Sequence, residues 1–483
     1  MRILVTGATG FIGRALVQRL RRTGASVVAW ARSRERARNR LGAAVDIVPV
    51  EVGDAALVEA LSGVDGVVNL AGEPVLPRRW TVERQRELVQ SRVGVTERLV
   101  AALALASPRP RVLVSASAVG YYGDTGSREC GETDSAGTGF LADLCVRWER
   151  AAVAARALSV RVVPVRIGIV LGLDGGALLG MLPLSRLAMG GPIGDGGQYV
   201  SWIHLDDLVE LLLTALQDDR WVDVANGTAP FPVTNRALAQ ELEAAVGRRF
   251  WVKVPSLVVR LALGEAASVL LQGQRATPRE PLRQRFVFRF PRIHEALADL
   301  VGHGSTVKIE PVPGVSSGST YLRRWQPTHR LTQRTLVEAP LETVFSFFSR
   351  PENLGLVTPG WLDLEILEPR PETMETGTLF DYRIRVGPVP VGWITRIEEW
   401  RPPERFVDYQ ISGPYRCWYH EHLFVALGSR TLMEDRVHYA VPVGLVGKAM
   451  NAVAVAGMLR QIFGYRRDAI RRMFGVAPDP ETR

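Results

Sequence analysis

Lysine is almost missing from this chain. Of its 59 basic residues only Lys253, Lys308 and Lys448 are lysines, so no chemistry in the first 252 residues uses an ε-amine. The arginines that replace them keep their protons at any working pH and do not serve as bases. Cysteine is nearly as scarce. Cys130, Cys145 and Cys417 lie far apart, which excludes a disulfide framework and a cysteine zinc site, and a reducing cytoplasm is the expected location. Long apolar runs are missing too: Arg260 and Glu265 interrupt one candidate and Lys448 the other, so no membrane span is expected. The first residues enter a strand directly, so a signal peptide is not expected either. The net charge of +9 comes from arginines spread along the chain. With no zinc-finger spacing and no concentrated basic helix, no nucleic-acid partner is expected.

The 483 residues are enough for two or three domains with ample core. The most informative segment is the first. Met1-Arg-Ile-Leu-Val-Thr6 is an apolar strand, and Gly7-Ala-Thr-Gly10-Phe-Ile-Gly13 turns it into an amphipathic helix with apolar Phe11, Ile12, Ala15, Leu16 and Leu20. In that context the glycines have separate jobs. Gly7 permits the turn, Gly10 lets backbone approach a pyrophosphate, and Gly13 lets the helix pack on the sheet. The helix's free N–H groups then face the phosphates. Thr9, Phe11 and Ile12 complete the turn as cofactor contacts. After the second strand, Ser26–Trp30, comes Ala31-Arg32-Ser33-Arg34 rather than an acid. Arginine there suits a 2′-phosphate, so Arg32, Ser33 and Arg34 point to NADP over NAD.

Further strands are expected at Val45–Val50, Gly66–Leu70, Arg111–Ser115, Val160–Arg166 and Val222–Val224. Helices are expected at Ala55–Leu61, Thr81–Leu103, Phe140–Ala155 and Leu205–Gln217. Such alternation implies an α/β Rossmann fold, a doubly wound parallel sheet with ligands at the carboxyl ends of its strands. Those ends carry Asn69, Ala71 and Gly72, then Ser115 and Ser117, then Arg166.

The order TGATGFIG, NLAG, SASAVGYYG, RIGIVLG and SWIHLDD resembles the extended short-chain dehydrogenase/reductase superfamily, the NAD(P)-dependent epimerases and dehydratases. Phe140-Leu-Ala, Trp148-Glu149, Gly175-Gly-Ala-Leu178 and Ser201–Asp207 are similar to an atypical branch, the nucleoside-diphosphate-sugar epimerase-like proteins. About 250–298 resembles that branch's short C-terminal, substrate-side extension. The resemblance covers residues 1–300. It implies an NAD(P) cofactor, which Arg32, Ser33 and Arg34 narrow to NADP, with Arg92 among the cofactor contacts, a small-molecule substrate and a homodimer.

Ordinary members use a Ser or Thr, a Tyr acid/base and a Lys four residues after that Tyr, which lowers the Tyr pKa. Ser117 matches the hydroxyl. Leu141 and Cys145 stand where Tyr and Lys belong, and no Tyr-x-x-x-Lys occurs anywhere in the chain. The candidates left for proton chemistry are Tyr121, Tyr122, Cys145 and His204, besides the acids Glu132, Asp134 and Asp143.

Residues 301–327 have linker composition, with Pro311-Val-Pro-Gly314 and Ser316-Ser-Gly-Ser319. Beyond them a strand at His329–Glu338 and a helix at Leu341–Ser349 are expected. Strands follow at Leu362–Glu368, Gly377–Val386, Gly392–Trp400, Arg405–Ser412, Tyr415–Leu427 and Thr431–Ala440, then a helix at Leu445–Met473. With Val337-Glu-Ala-Pro340 and Pro351-Glu-Asn-Leu354, this resembles the START/Bet v 1-like, polyketide cyclase-like superfamily over 328–476. That is an α+β helix-grip domain which binds hydrophobic ligands. His420-Glu-His422 sets two imidazoles on one strand face, but the sequence offers no third ligand, and no metal is expected.

Two function classes remain open. One is an NADP-dependent epimerase or oxidoreductase whose second domain holds an apolar substrate or product. The other is a non-catalytic, NADP-responsive binding module coupled to a carrier of a lipid-like ligand.

Overall fold

The computed structural model describes residues 1–186, 190–246, 253–301, 307–312, 319–369, 371, 373–386, 389–442 and 455–475. The chain divides into two compact units, Met1–Ala37 with Val45–Val301, and Arg38–Ala44 with Gly302–Arg483.

The first unit is built on a seven-stranded sheet. Its strands are β1 (Arg2–Thr6), β2 (Ser26–Ala31), β3 (Asp46–Pro49), β4 (Gly66–Asn69), β5 (Val112–Ala118), β6 (Arg161–Ile167) and β7 (Ala225–Gly227). They are ordered β7-β6-β5-β4-β1-β2-β3, all parallel. The strands are buried on both faces, as parallel sheets require, and their middles read as apolar runs, with polar Asn69, Ser115, Ser117 and Arg166 toward the carboxyl ends. Leu4, Val67 and Leu113 pack on Leu57, Leu99 and Leu103 from the covering helices. Strand order reverses between β1 and β4, which places a crevice at their carboxyl ends. Three helices that pack on this sheet are α1 (Phe11–Arg22), α2 (Phe140–Val153) and α3 (Leu205–Gln217).

Two expectations in this unit are corrected. The strand foreseen at Val222–Val224 lies instead at Ala225–Gly227. Trp221 is buried and its N–H closes a turn on the Asp218 carbonyl, so Val222 is left exposed rather than paired. The helix foreseen over Thr81–Leu103 is broken by a π turn at Gln90–Gly94, which carries Arg92.

The second unit is an eight-stranded antiparallel sheet. Its strands are β8 (Val307–Pro311), β9 (His329–Val337), β10 (Glu365–Ile366), β11 (Leu379–Val386), β12 (Val389–Arg401), β13 (Arg405–Ser412), β14 (Cys417–Leu427) and β15 (Arg430–Ala440). Their order is β8-β9-β15-β14-β13-β12-β11-β10. Two helices pack on it, α4 (Leu341–Phe348) and α5 (Ala456–Phe474). From α5, Leu459 and Phe463 meet Leu331 and Val437, and Ile470 joins the cluster around Phe345.

The segment expected to be a linker is partly structured. Val307–Pro311 pairs with His329–Gln333 as an edge strand, and a helix at Thr320–Trp325 stacks Tyr321 on Tyr409. The Gly/Ser/Pro run hid this, because Val307 and the pair Tyr321-Leu322 are too few to form a pattern and gain apolar partners only through the sheet. The expected strand at Leu362–Glu368 shrinks to Glu365–Ile366. Of the expected terminal helix, residues 445–454 lie outside those described.

Candidate functional site

The turn after β1 needs its glycines. Gly7 sits at φ +64°, and a Cβ there would lie 2.5 Å from the Leu70 carbonyl oxygen. A Cβ on Gly13 would meet the Gly7 carbonyl oxygen at 2.2 Å. The Gly7 carbonyl also accepts the Gly10 N–H at 2.9 Å, which fixes the turn. Gly10 caps α1 without any side-chain hydrogen bond, and the first turn holds no acid. The helix therefore begins with free N–H groups and an unneutralised positive end, a cradle for phosphate. Behind this turn the Phe11 ring fills the space over Gly172, Gly175 and Gly176, and buried Arg14 pairs with buried Asp174. Phe11 thereby ties α1 to the neighbouring loop.

Beyond β2, Arg32, Ser33 and Arg34 are all exposed. The Arg32 side chain, 83% exposed, pairs with Glu73 at 2.8 Å. An exposed pair of this kind is worth at most about 1 kcal/mol, so a phosphate can displace it. Ser33 Oγ accepts the Arg36 N–H, so it caps the following helix. Arg92 Nη2 donates to the Glu73 carbonyl, and a Cβ on Gly72 would lie 3.1 Å from Arg92 Cζ. Arg92 thus lies against the loop that carries Ala71 and Gly72.

The ends of β1, β4 and β5 are stitched together. Thr6 Oγ1 donates to Asn69 Oδ1 and accepts from the Leu70 and Ala71 N–H groups. Asn69 Nδ2 donates to Thr96 and Ser115. The Asn69 and Ser115 side chains are therefore engaged with the sheet, and they set the shape of the crevice floor.

A buried polar network lies deeper. Ser117 Oγ donates to Glu149 Oε1 at 2.7 Å. Arg166 grips the same carboxylate with Nε and Nη2, at 2.8 and 2.9 Å. Arg166 Nη1 donates to Tyr122 Oη at 3.0 Å, and Tyr122 donates to Asn226 Oδ1 at 2.8 Å. Burial works against the Arg166 charge, but the Glu149 carboxylate outweighs it and holds the guanidinium above its ordinary range. Burial pushes the Tyr122 hydroxyl up. The half-buried Tyr121 ring stacks on Arg166, its centroid 3.4 Å from Cζ. In the sequence Glu149 stands out only as half of the Trp148-Glu149 pair. The missed signal is an acid four residues beyond Cys145, on the buried face of α2, which demands a cationic partner.

Cys145 and His204 both lie in packed surroundings. Leu141 and Cys145 pack under Gly120, and burial pushes the Cys145 thiol up to about 11. Buried His204 caps α3, with Nδ1 accepting the Asp206 N–H. Its Nε2 faces Asp299 at 3.4 Å. Burial opposes charge on that ring, but the Asp299 contact and the acids Asp206 and Asp207 outweigh it and raise the His204 pKa.

The second unit holds a cavity of about 540 Å³ between the sheet, α4 and α5. Its wall is mostly apolar, with Phe348, Trp393, Tyr415, Trp418 and Leu459 among the lining residues. Its charged and imidazole groups are Arg350, Asp408, His420, His422 and Arg466. Burial and the neighbouring His422 push His420 down to about 4. Burial also opposes the Asp435 charge, yet Arg466, His420 and His422 hold its carboxyl well below the usual range. Among the described residues no helix is long and apolar enough to cross a membrane.

Residues 3–225 match the NAD dependent epimerase/dehydratase family, and residues 254–300 a domain of unknown function, DUF1731. Residues 337–462 match the family described as polyketide cyclase / dehydrase and lipid transport. The chain is 41% identical over 300 residues to the chloroplastic SDR39U1 homolog of Arabidopsis thaliana, an epimerase family protein, covering 62% of this chain and 86% of that one. It is 38% identical over 305 residues to human epimerase family protein SDR39U1, covering 62% of this chain and all of the human one. The crystal structure of human SDR39U1 (isoform 2) with NADPH aligns at a TM-score of 0.57 and 37% identity, over 62% of this chain and 99% of that one.

Proposed function

Because the chain belongs to the epimerase family of SDR39U1, we propose that its first unit binds NADPH and acts on a small carbonyl or hydroxyl compound, while its second unit holds an apolar ligand. The observation that carries the cofactor is the α1 cradle: a turn in which a Cβ at Gly7 or Gly13 would strike backbone, ahead of a helix start with no side-chain cap and no acid. The NADPH in the human relative's crystal structure supports the same choice.

In this reading the backbone N–H groups from Phe11 to Gly13 hold the pyrophosphate. Arg32, with Ser33 and Arg34, holds the 2′-phosphate, exchanging its exposed pair with Glu73 for a stronger charge-assisted one. Bound NADPH supplies the hydride. Ser117, bonded to Glu149, and Tyr121, stacked on Arg166, orient the substrate oxygen, and the Arg166–Glu149 pair keeps them in place. The apolar cavity is of a size suited to a ligand of drug-like or lipid-like dimensions. The buried free thiols fit the expected reducing cytoplasm, and a homodimer remains part of the proposal.

A second reading, a non-catalytic NADP-responsive module, is favoured by the packing of Leu141 and Cys145 where the usual Tyr and Lys would act. Titration and turnover separate the two. NADPH is expected to bind roughly 10- to 100-fold more tightly than NADH, and Arg32→Ala to remove that preference, the scale of one charge-assisted contact. Equal affinities unaffected by Arg32→Ala reject the 2′-phosphate assignment. NADPH binding without oxidation of the cofactor by any of a panel of aldehydes, ketones and nucleotide-sugar ketones selects the module.

A further inference from the structure

The pair His420 and His422 gains a third partner that the linear sequence conceals. Asp408 on β13 stands directly across from His420 on β14 in the strand register. One donor atom from each of Asp408, His420 and His422 lies within 4.8 Å of the others. His422 Nε2 is 3.1 Å from Asp408 Oδ2, and His420 Nδ1 is 4.0 Å from the same oxygen. Ligand atoms placed about 2.1 Å from a tetrahedral ion are about 3.4 Å apart, so the observed separations bracket what an ion needs.

The far side of the two rings is organised as well. His420 Nε2 and His422 Nδ1 lie 3.0 and 2.9 Å from a single oxygen, Asp435 Oδ1. Asp435 is buried and held by Arg466 Nε at 3.1 Å. Arg466 Nη2 also stands 3.2 Å from His422 Nδ1. Asp435 lies behind both imidazoles: His420 Nε2 donates to it, which leaves the Nδ1 lone pair toward Asp408. His422 Nδ1 faces both the Asp435 carboxylate and the Arg466 donor, and an ion taken by Nε2 selects the tautomer with its N–H on Asp435. Asp408 and Asp435 set two carboxylates against the single Arg466 guanidinium that contacts the cluster, in a wall that is mostly apolar. Three protein ligands leave one side open, and that side borders the cavity.

We propose that Asp408, His420 and His422 form a binding site for a divalent transition-metal ion, zinc or ferrous iron in class, with Asp435 and Arg466 positioning the imidazoles and the open coordination position facing the cavity. Two imidazoles and one carboxylate suit these ions rather than magnesium or calcium, which favour all-oxygen sites. The ion gives an apolar cavity one fixed point of attachment for an oxygen-bearing ligand, a carboxylate or a β-dicarbonyl. The site rests on the second unit alone and stands independently of the NADPH reading.

The test uses untagged full-length protein, stripped with a chelator and titrated with cobalt(II) as the optical probe and zinc(II) as competitor. One equivalent of cobalt per chain is expected, with visible ligand-field bands that zinc abolishes. The double variant His420→Ala/His422→Ala is expected to lose both bands and binding. Asp408→Asn, which preserves volume, should weaken binding, and Asp435→Asn should do so about 10- to 100-fold through the positioning role. Circular dichroism and binding of an apolar fluorophore to the cavity report folding; if the double variant unfolds, the two asparagine variants carry the test. Absence of stoichiometric cobalt uptake by the wild type, or uptake unchanged in Asp408→Asn and Asp435→Asn, overturns the proposal.

Discussion

Ser117 and Arg166 share one carboxylate: both bond to Glu149 Oε1, at 2.7 and 2.8 Å, from neighbouring strands whose Cα atoms are paired in the sheet. A helix that would ordinarily bring a Tyr and a Lys to this place brings a glutamate to it, and the cation arrives from β6. Removing the glutamate strands a buried guanidinium. Glu149→Ala is therefore expected to destabilise the first unit by about 3–5 kcal/mol, read by denaturant unfolding. A loss under about 1 kcal/mol shows that the pair is not a buried anchor.

The α1 cradle makes a second prediction. Gly13→Ala places a methyl 2.2 Å from the Gly7 carbonyl oxygen, so α1 must move off the sheet. The expected cost is about 1–3 kcal/mol of stability, with loss of NADPH affinity read by quenching or enhancement of its fluorescence. Wild-type affinity in the variant contradicts the role given to the turn.

The cysteines make a third. Cys130, Cys145 and Cys417 are all buried, and burial pushes them up to about 11, about 11 and about 12. At pH 8 the native protein should not react with a disulfide reagent, and three equivalents should react once it is unfolded. Fast labelling of Cys145 in the native state restores it as a candidate thiol acid/base.

The fourth concerns pH. Burial, with Arg330 and Arg436, pushes His438 down to about 4, although Glu421 stands 3.6 Å from its Nδ1 and Tyr419 is nearby. The unfolded chain takes up this proton near the ordinary value of about 6.5, and the folded chain does not until about pH 4. Stability contributed by neutral His438 is thus present above about 6.5 and is lost as pH falls toward 4. His438→Gln should flatten that part of the stability–pH curve; an unchanged slope rejects the assignment.

The parts of the protein that depend on local pattern were legible in the sequence. The Gly7–Gly13 turn, the parallel strands, and the strand at Arg405–Ser412 all follow from short-range rules of glycine freedom and apolar periodicity. The parts that depend on pairing across the chain were not. Glu149 is 17 residues from Arg166 and 32 from Ser117, and Asp408 meets His420 only through strand register. Residues 307–311 failed for a similar reason, since an edge strand with half its side chains in solvent carries little pattern of its own.

The most direct test of the account is a crystal structure of the full chain with NADPH. The account predicts the pyrophosphate on the backbone N–H groups of Phe11 to Gly13, the 2′-phosphate on Arg32 released from Glu73, and nicotinamide C4 within reach of Ser117 and Tyr121. A nicotinamide surrounded only by apolar side chains and water, or an adenosine bound without contact to Arg32, contradicts it.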